Sequence, residues 1–520
     1  MAMAAAPPTP GSIGDTLRLS RLLKALEAAP DVSKAGQTAT PAAESDEAQI
    51  TVTHFTLVGN TLFTAQQLEP LLTDFIGKPI TLAQLYEAAD RITDYYVHSG
   101  YTLSSATVPA QTVSDGEVTL RIIEGRIGRI AFENNDDYSD RRLLSFMKRT
   151  HPDAIYRSSD LQCDLFALND LPGLKTRAVL TPGADFGSSD ITVKTGEKYF
   201  SVDAGVDNYG RRDVGEYRYS LGMTLNNPGR IGDQVQLSLL HSNTDRLNYG
   251  SAAYNLPLGT NGWRLAASYG RALFSVDYPF YTTGKNENGS VEADKTWLHT
   301  AANVLSTSGG WMFTDANADL SGLPISDTGV HLVTLGVNAS HAWNNGAISQ
   351  IVGGIHTDFR QATPTNGNHE RFRGEIDVQH LQPLPAKFQI LGEFDDVYSP
   401  DPLADTEQMS VGGPTTVRGF PPTEVRGDRG WYGKATLKRP LQFGPVRLTP
   451  RAFADTGVVS ILNHLPGDKS RDSLSGAGAG ADVDYRQYSL HVDWACPLDS
   501  TPVSDGRDDG RVYVSLSAAF

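Results

Sequence analysis

No run of about 18 apolar residues occurs anywhere in the 520-residue chain, which excludes a membrane-spanning helix. Basic residues are outnumbered, 44 Lys and Arg against 60 Asp and Glu, so the electrostatic footprint of a nucleic-acid binder is missing. Only two cysteines occur, Cys163 and Cys496, far apart in sequence. One bridge is open to them, unpaired buried thiols are the favoured reading, and neither fixes a redox compartment. The opening stretch, Met1–Gly11, has no charged segment followed by an apolar one, so no secretory leader is expected in this chain and export must be read from the rest. Twelve histidines are scattered without a paired-histidine helix motif or a cysteine pair, and no metal site is expected. No nucleophile elbow or other catalytic constellation appears, so neither an enzyme nor a cofactor is expected. The glycine–alanine alternation at Gly476–Asp482 superficially echoes a dinucleotide fingerprint. Position 481 is alanine and no βαβ unit surrounds it, so it reads as a barrel strand with small inward or close-packed residues.

What is present falls into three regions. Residues 1–29 hold one amphipathic helix over 12–29, with Ser12 as N-cap and Pro30 as stop. Ile13, Leu17, Leu22, Leu23 and Leu26 form its apolar stripe, and Arg18, Arg21 and Lys24 share the other face. At 1.5 Å per residue the rod is about 25 Å long, close to the apolar height of an outer-membrane barrel. Residues 30–49 offer almost nothing to bury and read as a disordered linker.

Residues 50–196 contain an internal repeat. Phe55–Asn60 aligns with Ile130–Asn135, and Leu68, Leu71 and Leu72 align with Leu143, Phe146 and Met147. Leu85, Ala89 and Ile92 then fall on Leu161, Leu165 and Leu168, Pro109 on Pro182, and Val118 and Leu120 on Ile191 and Val193. Each copy reads strand, helix, helix, strand, strand. Two small α+β modules are expected, at 50–125 and 126–196.

From 197 to 520 helical periodicity vanishes. Segments of about 10–14 residues alternate apolar and polar positions between Gly, Asn, Asp and Pro clusters. Sixteen are expected, with the sixth at 294–306 and the seventh at 310–319. A soluble β-protein would show strands of about five or six residues; these match the ~9–11 needed to cross a bilayer at a tilt. Their average hydropathy is ordinary because a barrel alternates lipid-facing and water-facing residues. The long gap at 397–429 carries Arg418, and Asp455 sits in mid-strand. From spacing alone, a lumenal Arg418–Asp455 pair and an exposed loop arginine are equally open. A pair would suit arginine, whose planar fork binds a carboxylate with two bonds, and Gly419 would let the loop turn tightly.

The residues also carry a resemblance. Gly100–Gln111, Gly116 and Ile122–Gly125 are similar to the signature of a first POTRA domain, and Asn169–Gly173 with Leu180–Gly183 to that of a second. Val417-Arg418-Gly419-Phe420 resembles the tip of the family's L6 loop. Phe453–Gly457 resembles its partner on the barrel wall. Together with the leading helix and terminal Phe520, the chain resembles the TpsB transporters of two-partner secretion (the FhaC/ShlB/CdiB-like haemolysin secretion and activation family) within the Omp85 superfamily. The resemblance implies two periplasmic POTRA domains and a 16-stranded barrel in a Gram-negative outer membrane. It also implies a plug helix lying through the pore at rest, with Leu17, Arg18, Arg21, Leu22 and Lys24 as its residues. The implied lock comprises Val417, Arg418, Gly419, Phe420, Asp455 and Gly457, with aromatic help from Phe420. Phe520 would be the signal read by the assembly machinery. The implied partner is a large, unfolded, β-rich exoprotein (haemolysin, adhesin or contact-dependent toxin) docking on the POTRA domains of a monomer. A BamA-like insertase is the alternative; a passive porin would not need the modules, and an outer-membrane lipase lacks a site.

Overall fold

The computed structural model describes residues 32–34, 49–277, 281–362, 372–464, 469–498, 504–506 and 509–520. The expected plug-helix residues Leu17, Arg18, Arg21, Leu22 and Lys24 lie outside them. The chain divides into two compact units, one over 29–197 and one containing 198–520.

The first unit holds both repeats. In the first, His54–Val58 runs parallel to Glu117–Ile123, which pairs antiparallel with Ser105–Thr107. In the second, Arg126–Glu133 runs parallel to Ser188–Glu197, which pairs antiparallel with Leu174–Pro182. The topology is the same, and so is the core. Leu68, Leu72, Leu85, Ala89, Ile92, Val118 and Leu120 are buried in one cluster, and Leu143, Phe146, Met147, Leu161, Leu165, Leu168, Ile191 and Val193 in the other. Helix Leu82–His98 starts where Thr81 accepts from the Gln84 amide and the Gln84 side chain accepts from the Thr81 amide, which satisfies two otherwise orphan donors.

The two modules are stapled together. Gly100, in the left-handed region at φ +92°, gives its carbonyl to both the amide and the hydroxyl of Ser158. Leu103 packs against the core of the second module, and a side chain on Gly125 would collide with it. Much of the signature that suggested a POTRA domain therefore builds the joint between the two.

Within the segment expected to be a structureless linker, Val32–Lys34 is a strand. It adds in parallel to the edge of Leu174–Pro182, opposite Ala178–Leu180. Hydrophobicity could not announce it, because edge pairing is made by the main chain and demands little of the sequence.

The second unit is a closed barrel. Its sixteen strands are Phe200–Asp207, Arg218–Asn226, Gln234–Ser242, Leu247–Leu258, Trp263–Val276, Thr282–His299, Asn303–Leu320, Leu323–Ala342, Ile348–Ala362, Phe372–Pro383, Gln389–Tyr398, Arg429–Lys438, Val446–Ser460, Arg471–Tyr485, Tyr488–Pro497 and Arg511–Ala519; a short segment, Leu441–Phe443, prolongs the twelfth. The first strand closes on the last through Asp203–Asp207 opposite Ala519–Ser515. Phe520 extends that seam, exchanging backbone hydrogen bonds with Val202 at 3.2 and 2.8 Å. Leu221, Leu239, Val291, Leu335, Ile355, Phe394 and Leu516 stand exposed on the outer face, the apolar band that lipid requires.

The sixth and seventh strands depart from expectation. They span Thr282–His299 and Asn303–Leu320, so the expected sixth segment, 294–306, straddles a real turn at 300–302. Both are 18 residues long, more than a bilayer needs. Their polar outer halves project past the apolar band, where no lipid enforces alternation. The two cysteines are free and half-buried rather than buried.

Candidate functional site

A barrel of sixteen strands encloses an aqueous lumen unless its own chain fills it. The loop between the eleventh and twelfth strands, residues 399–428, does so here. Its limbs pair as Met409–Val411 against Val425–Gly427. The buried carboxylate of Asp428 accepts from the Leu403 amide at 2.8 Å, from Gln408 at 3.0 Å and from the Leu462 amide at 2.7 Å, which stiffens the base.

At the tip, Arg418 and Asp455 are brought together and both are buried. Arg418 Nε donates to Asp455 Oδ2 at 2.6 Å and Nη2 to Oδ1 at 2.7 Å, a two-bond fork. The Arg418 amide also donates to Asp455 Oδ2 at 3.1 Å. Nη1 lies 3.5 Å from Asp493 Oδ2, and Nη2 donates to Thr436 at 3.3 Å. The guanidinium lies 3.4 Å above the centroid of the Phe453 ring, a cation–π contact in which the flat group stacks on the ring, as a compact ammonium cannot.

The aromatic partner of Arg418 is thus Phe453, not Phe420. Phe420 is fully buried in an apolar cluster with Val397, Met409, Val411, Val417, Val459 and Leu474. Val417 and Phe420 pin the tip by packing, and Arg418 pins it by charge. Gly419 sits at φ +104°, where a side chain would be strained and would meet the backbone of Cys496 and Pro497 at 2.9 Å. Gly457 faces the loop, and a Cβ there would lie 2.8 Å from Val411 Cγ1.

Sequence reasoning missed several members of this site. Tyr513 on the last strand caps the tip: its hydroxyl accepts from the Gly419 amide at 3.1 Å and donates to the Phe420 carbonyl at 2.6 Å. Asp493 is shared between Arg418 and Arg451, whose Nε is 2.7 Å from Asp493 Oδ1. His491 joins the same network through Asp482 at 2.9 Å and Asp493 at 3.2 Å. The alternation of strand Tyr488–Pro497 held the signal. With Leu490, Val492 and Trp494 on the lipid face, His491 and Asp493 must point into the lumen.

The Gly–Ala alternation set aside as a cofactor motif is part of the same seat. Gly476, Gly478 and Gly480 stand on the inner face opposite Asp455, Phe453 and Arg451. A Cβ on Gly476 would run into the Arg418 carbonyl, one on Gly478 into the Phe453 ring and one on Gly480 into the Asp493 carboxylate. The alanines between them face outward. Small residues on this strand hollow out the wall where the loop tip docks.

Comparison with known proteins places the chain in a family. Residues 187–483 match the family described as haemolysin secretion/activation protein ShlB/FhaC/HecB, and residues 50–125 match the POTRA domain, ShlB-type. The outer membrane transporter CdiB of Dickeya dadantii is 26 % identical over 86 % of this chain and 82 % of its own length. The hemolysin transporter protein ShlB of Serratia marcescens is 25 % identical over 82 % of this chain and 79 % of its own. Among solved structures, CdiB from Escherichia coli superposes with a TM-score of 0.75 at 20 % identity, covering 99 % of this chain and 100 % of that one, which establishes the fold. With a buried arginine–carboxylate pair inside a sixteen-stranded barrel, a ShlB-type POTRA module before it and a family match over more than half its length, the chain belongs to the haemolysin secretion/activation family ShlB/FhaC/HecB, the outer-membrane transporters of two-partner secretion.

Proposed function

We propose that this transporter exports one large, β-rich partner exoprotein, delivered unfolded from the periplasm and threaded through the barrel lumen. The name of the Serratia marcescens relative points to a haemolysin as the class of cargo; an adhesin or a contact-dependent toxin fits the same route. The Arg418–Asp455 fork carries the reading. A passive pore has no use for a loop tip buried and charge-locked in its own lumen, whereas a protein conduit must stay sealed between transport events. The parts divide the work. The POTRA sheets offer edges to an extended chain, and Val32–Lys34 on Leu174–Pro182 supports this by occupying such an edge with a segment of the protein itself. Residues 1–29 serve as the plug helix, which includes Leu17, Arg18, Arg21, Leu22 and Lys24. Phe520, beside the closing seam, is the mark read by the assembly machinery, and the working unit is a monomer. No nucleotide is needed if the cargo folds once outside and cannot return.

Threading makes a firm demand on the cargo. A partner carrying an engineered disulfide that locks a folded hairpin should stall in the lumen under oxidising conditions and pass once reduced. Equal export of the oxidised and reduced forms would refute threading.

A further inference from the structure

The loop is also held at a place remote from its tip. Its first limb carries Ala404 into an apolar patch made by Val330 and Leu332 on the eighth strand, with Met312 behind them. One turn further, Glu407 is buried, and its Oε2 lies 3.2 Å from Nη1 of Arg373 on the tenth strand. The other guanidinium nitrogen of Arg373 reaches Glu375 Oε2 at 3.0 Å, and Glu375 Oε1 is 3.1 Å from His356 Nε2. Asp358, also buried, lines the same small recess. Register places all four wall residues on the lumenal face, since Ile355, Thr357, Gly374 and Ile376 take the outer one.

Two facts make this contact more than an incidental ion pair. The first is position. The tip is seated on strands twelve to sixteen through Thr436, Asp455, Gly476, Asp493 and Tyr513, whereas the Ala404–Glu407 segment meets strands eight to ten. The limbs between these two places lie along the wall, with Val411 against Gly457 and Gly427 against Ser460 of the thirteenth strand, so the loop is attached to the inner wall from the eighth strand round to the sixteenth. The second is stiffness. The paired limbs and the Asp428 staple tie the two attachment points into one hairpin. Breaking the tip contact therefore leaves the hairpin anchored on strands eight to ten.

We propose that Arg373 and Glu407 form a second lock, which holds L6 in the lumen independently of Arg418, so that the loop leaves its resting place by two separable steps. Arg373 is the positioning residue of this lock. It lies between Glu407 and Glu375, so its removal does more than delete a bond: it sets two carboxylates against each other across the recess and drives the limb off the wall. Neutralising Glu407 deletes the attraction without creating that repulsion, and it should act more weakly. The proposal rests on reading L6 as the stopper of the lumen, but its test measures where the loop is rather than whether cargo moves, so the two can fail separately.

The measurement is labelling of Thr415→Cys, near the loop tip, in the full-length transporter carrying Cys163→Ser and Cys496→Ser. Whole cells are treated with a polyethylene-glycol maleimide too bulky to enter the barrel, so labelling reports only loops that have swung out. With both locks intact the label should be nearly absent. Arg418→Ala alone should raise the rate modestly, and Arg418→Ala with Arg373→Glu should raise it roughly tenfold further, the equivalent of about 1.4 kcal/mol of attachment. Exchanging the charges, Arg373→Glu with Glu407→Arg, should bring the rate back to that of Arg418→Ala alone. An unchanged rate on adding Arg373→Glu, or no recovery on exchange, overturns the second lock. If Arg373→Glu prevents barrel assembly, as judged by heat-modifiable migration, Glu407→Arg is read in its place. That change lies in the loop and sets a cation against Arg373, so an unaltered labelling rate there overturns the proposal equally.

Discussion

Replacing Arg418 by lysine tests whether the lock depends on the shape of the guanidinium or only on its charge. Lysine keeps the positive charge but offers a compact ammonium with no planar fork. It would keep one bond to Asp455 and lose the second, the contacts to Thr436 and Asp493, and the stack 3.4 Å above Phe453. One charge-assisted hydrogen bond contributes about 1.5–3 kcal/mol, and the share of the cation–π stack that an ammonium cannot reproduce about 0.5–1 kcal/mol. The seated tip should thus weaken by roughly 2–4 kcal/mol, on the order of 30- to 700-fold in the ratio of seated to free loop. Alanine leaves Asp455 buried without its counter-charge, while Asp493 is still held by Arg451, and removal of one member of a buried pair costs about 3–5 kcal/mol. Export of the partner exoprotein, measured per inserted barrel, should fall for lysine and collapse for alanine, with heat-modifiable migration showing that both barrels still assemble. Exchanging the charges, Arg418→Asp with Asp455→Arg, should recover part of the loss and not all of it, because a guanidinium at 455 is displaced from the Phe453 ring. Undiminished export by Arg418→Ala, or a lysine variant indistinguishable from the parent, would refute the fork as the working element.

Three further outcomes follow from other parts of the molecule. Gly476→Val should lower export as far as Arg418→Ala, because the added side chain occupies the space of the Arg418 carbonyl, whereas Ala477→Val on the outer face of the same strand should leave it unchanged. In the first module, burial disfavours the Glu124 carboxylate, yet bonds from the Thr61 hydroxyl, the Leu62 amide at 2.8 Å, the Thr61 amide at 2.7 Å and the Tyr96 hydroxyl at 2.9 Å outweigh it and hold its pKa below the ordinary glutamate value. The stabilisation is full above the ordinary glutamate pKa and is lost as pH falls through the depressed one; Glu124→Ala should cost about 3 kcal/mol in urea unfolding of the module pair at neutral pH, and a difference that does not shrink on acidification would contradict the assignment. Deleting residues 1–30 should raise single-channel conductance in planar bilayers, and an unchanged pore would count against the plug.

How much of this was readable beforehand follows from where lipid or a packed core imposes a pattern. The repeat was legible because Leu68, Leu85, Ile92 and their counterparts Leu143, Leu161 and Leu168 must all be buried, and burial enforces spacing. The sixth strand was not, because Lys285-Asn286-Glu287-Asn288 lies beyond the apolar band, and the turn after it is Thr300-Ala301-Ala302, without glycine or proline. Arg418, Gly419 and Asp455 were found through compact local motifs. Phe453 lies within one of those motifs, but the motif does not say which ring stacks on Arg418, and Phe420, two residues along the same loop, is the nearer ring in sequence. Tyr513, Arg373 and Glu407 come from scattered positions that only barrel closure brings together, and no local spacing announces them; strand alternation turns Asp493 inward but does not say which loop residue it meets. The inward glycines were visible and correctly taken as barrel; their purpose needed the loop that lies against them.

The last strand has two duties at once. Tyr513 caps the loop tip, and a few residues later Phe520 and its neighbours join the first strand. A growing cylinder that still lacks its final stave has no hydroxyl to receive Gly419 and no completed wall for the tip to rest on. The seat for the tip is therefore complete only when the circumference is.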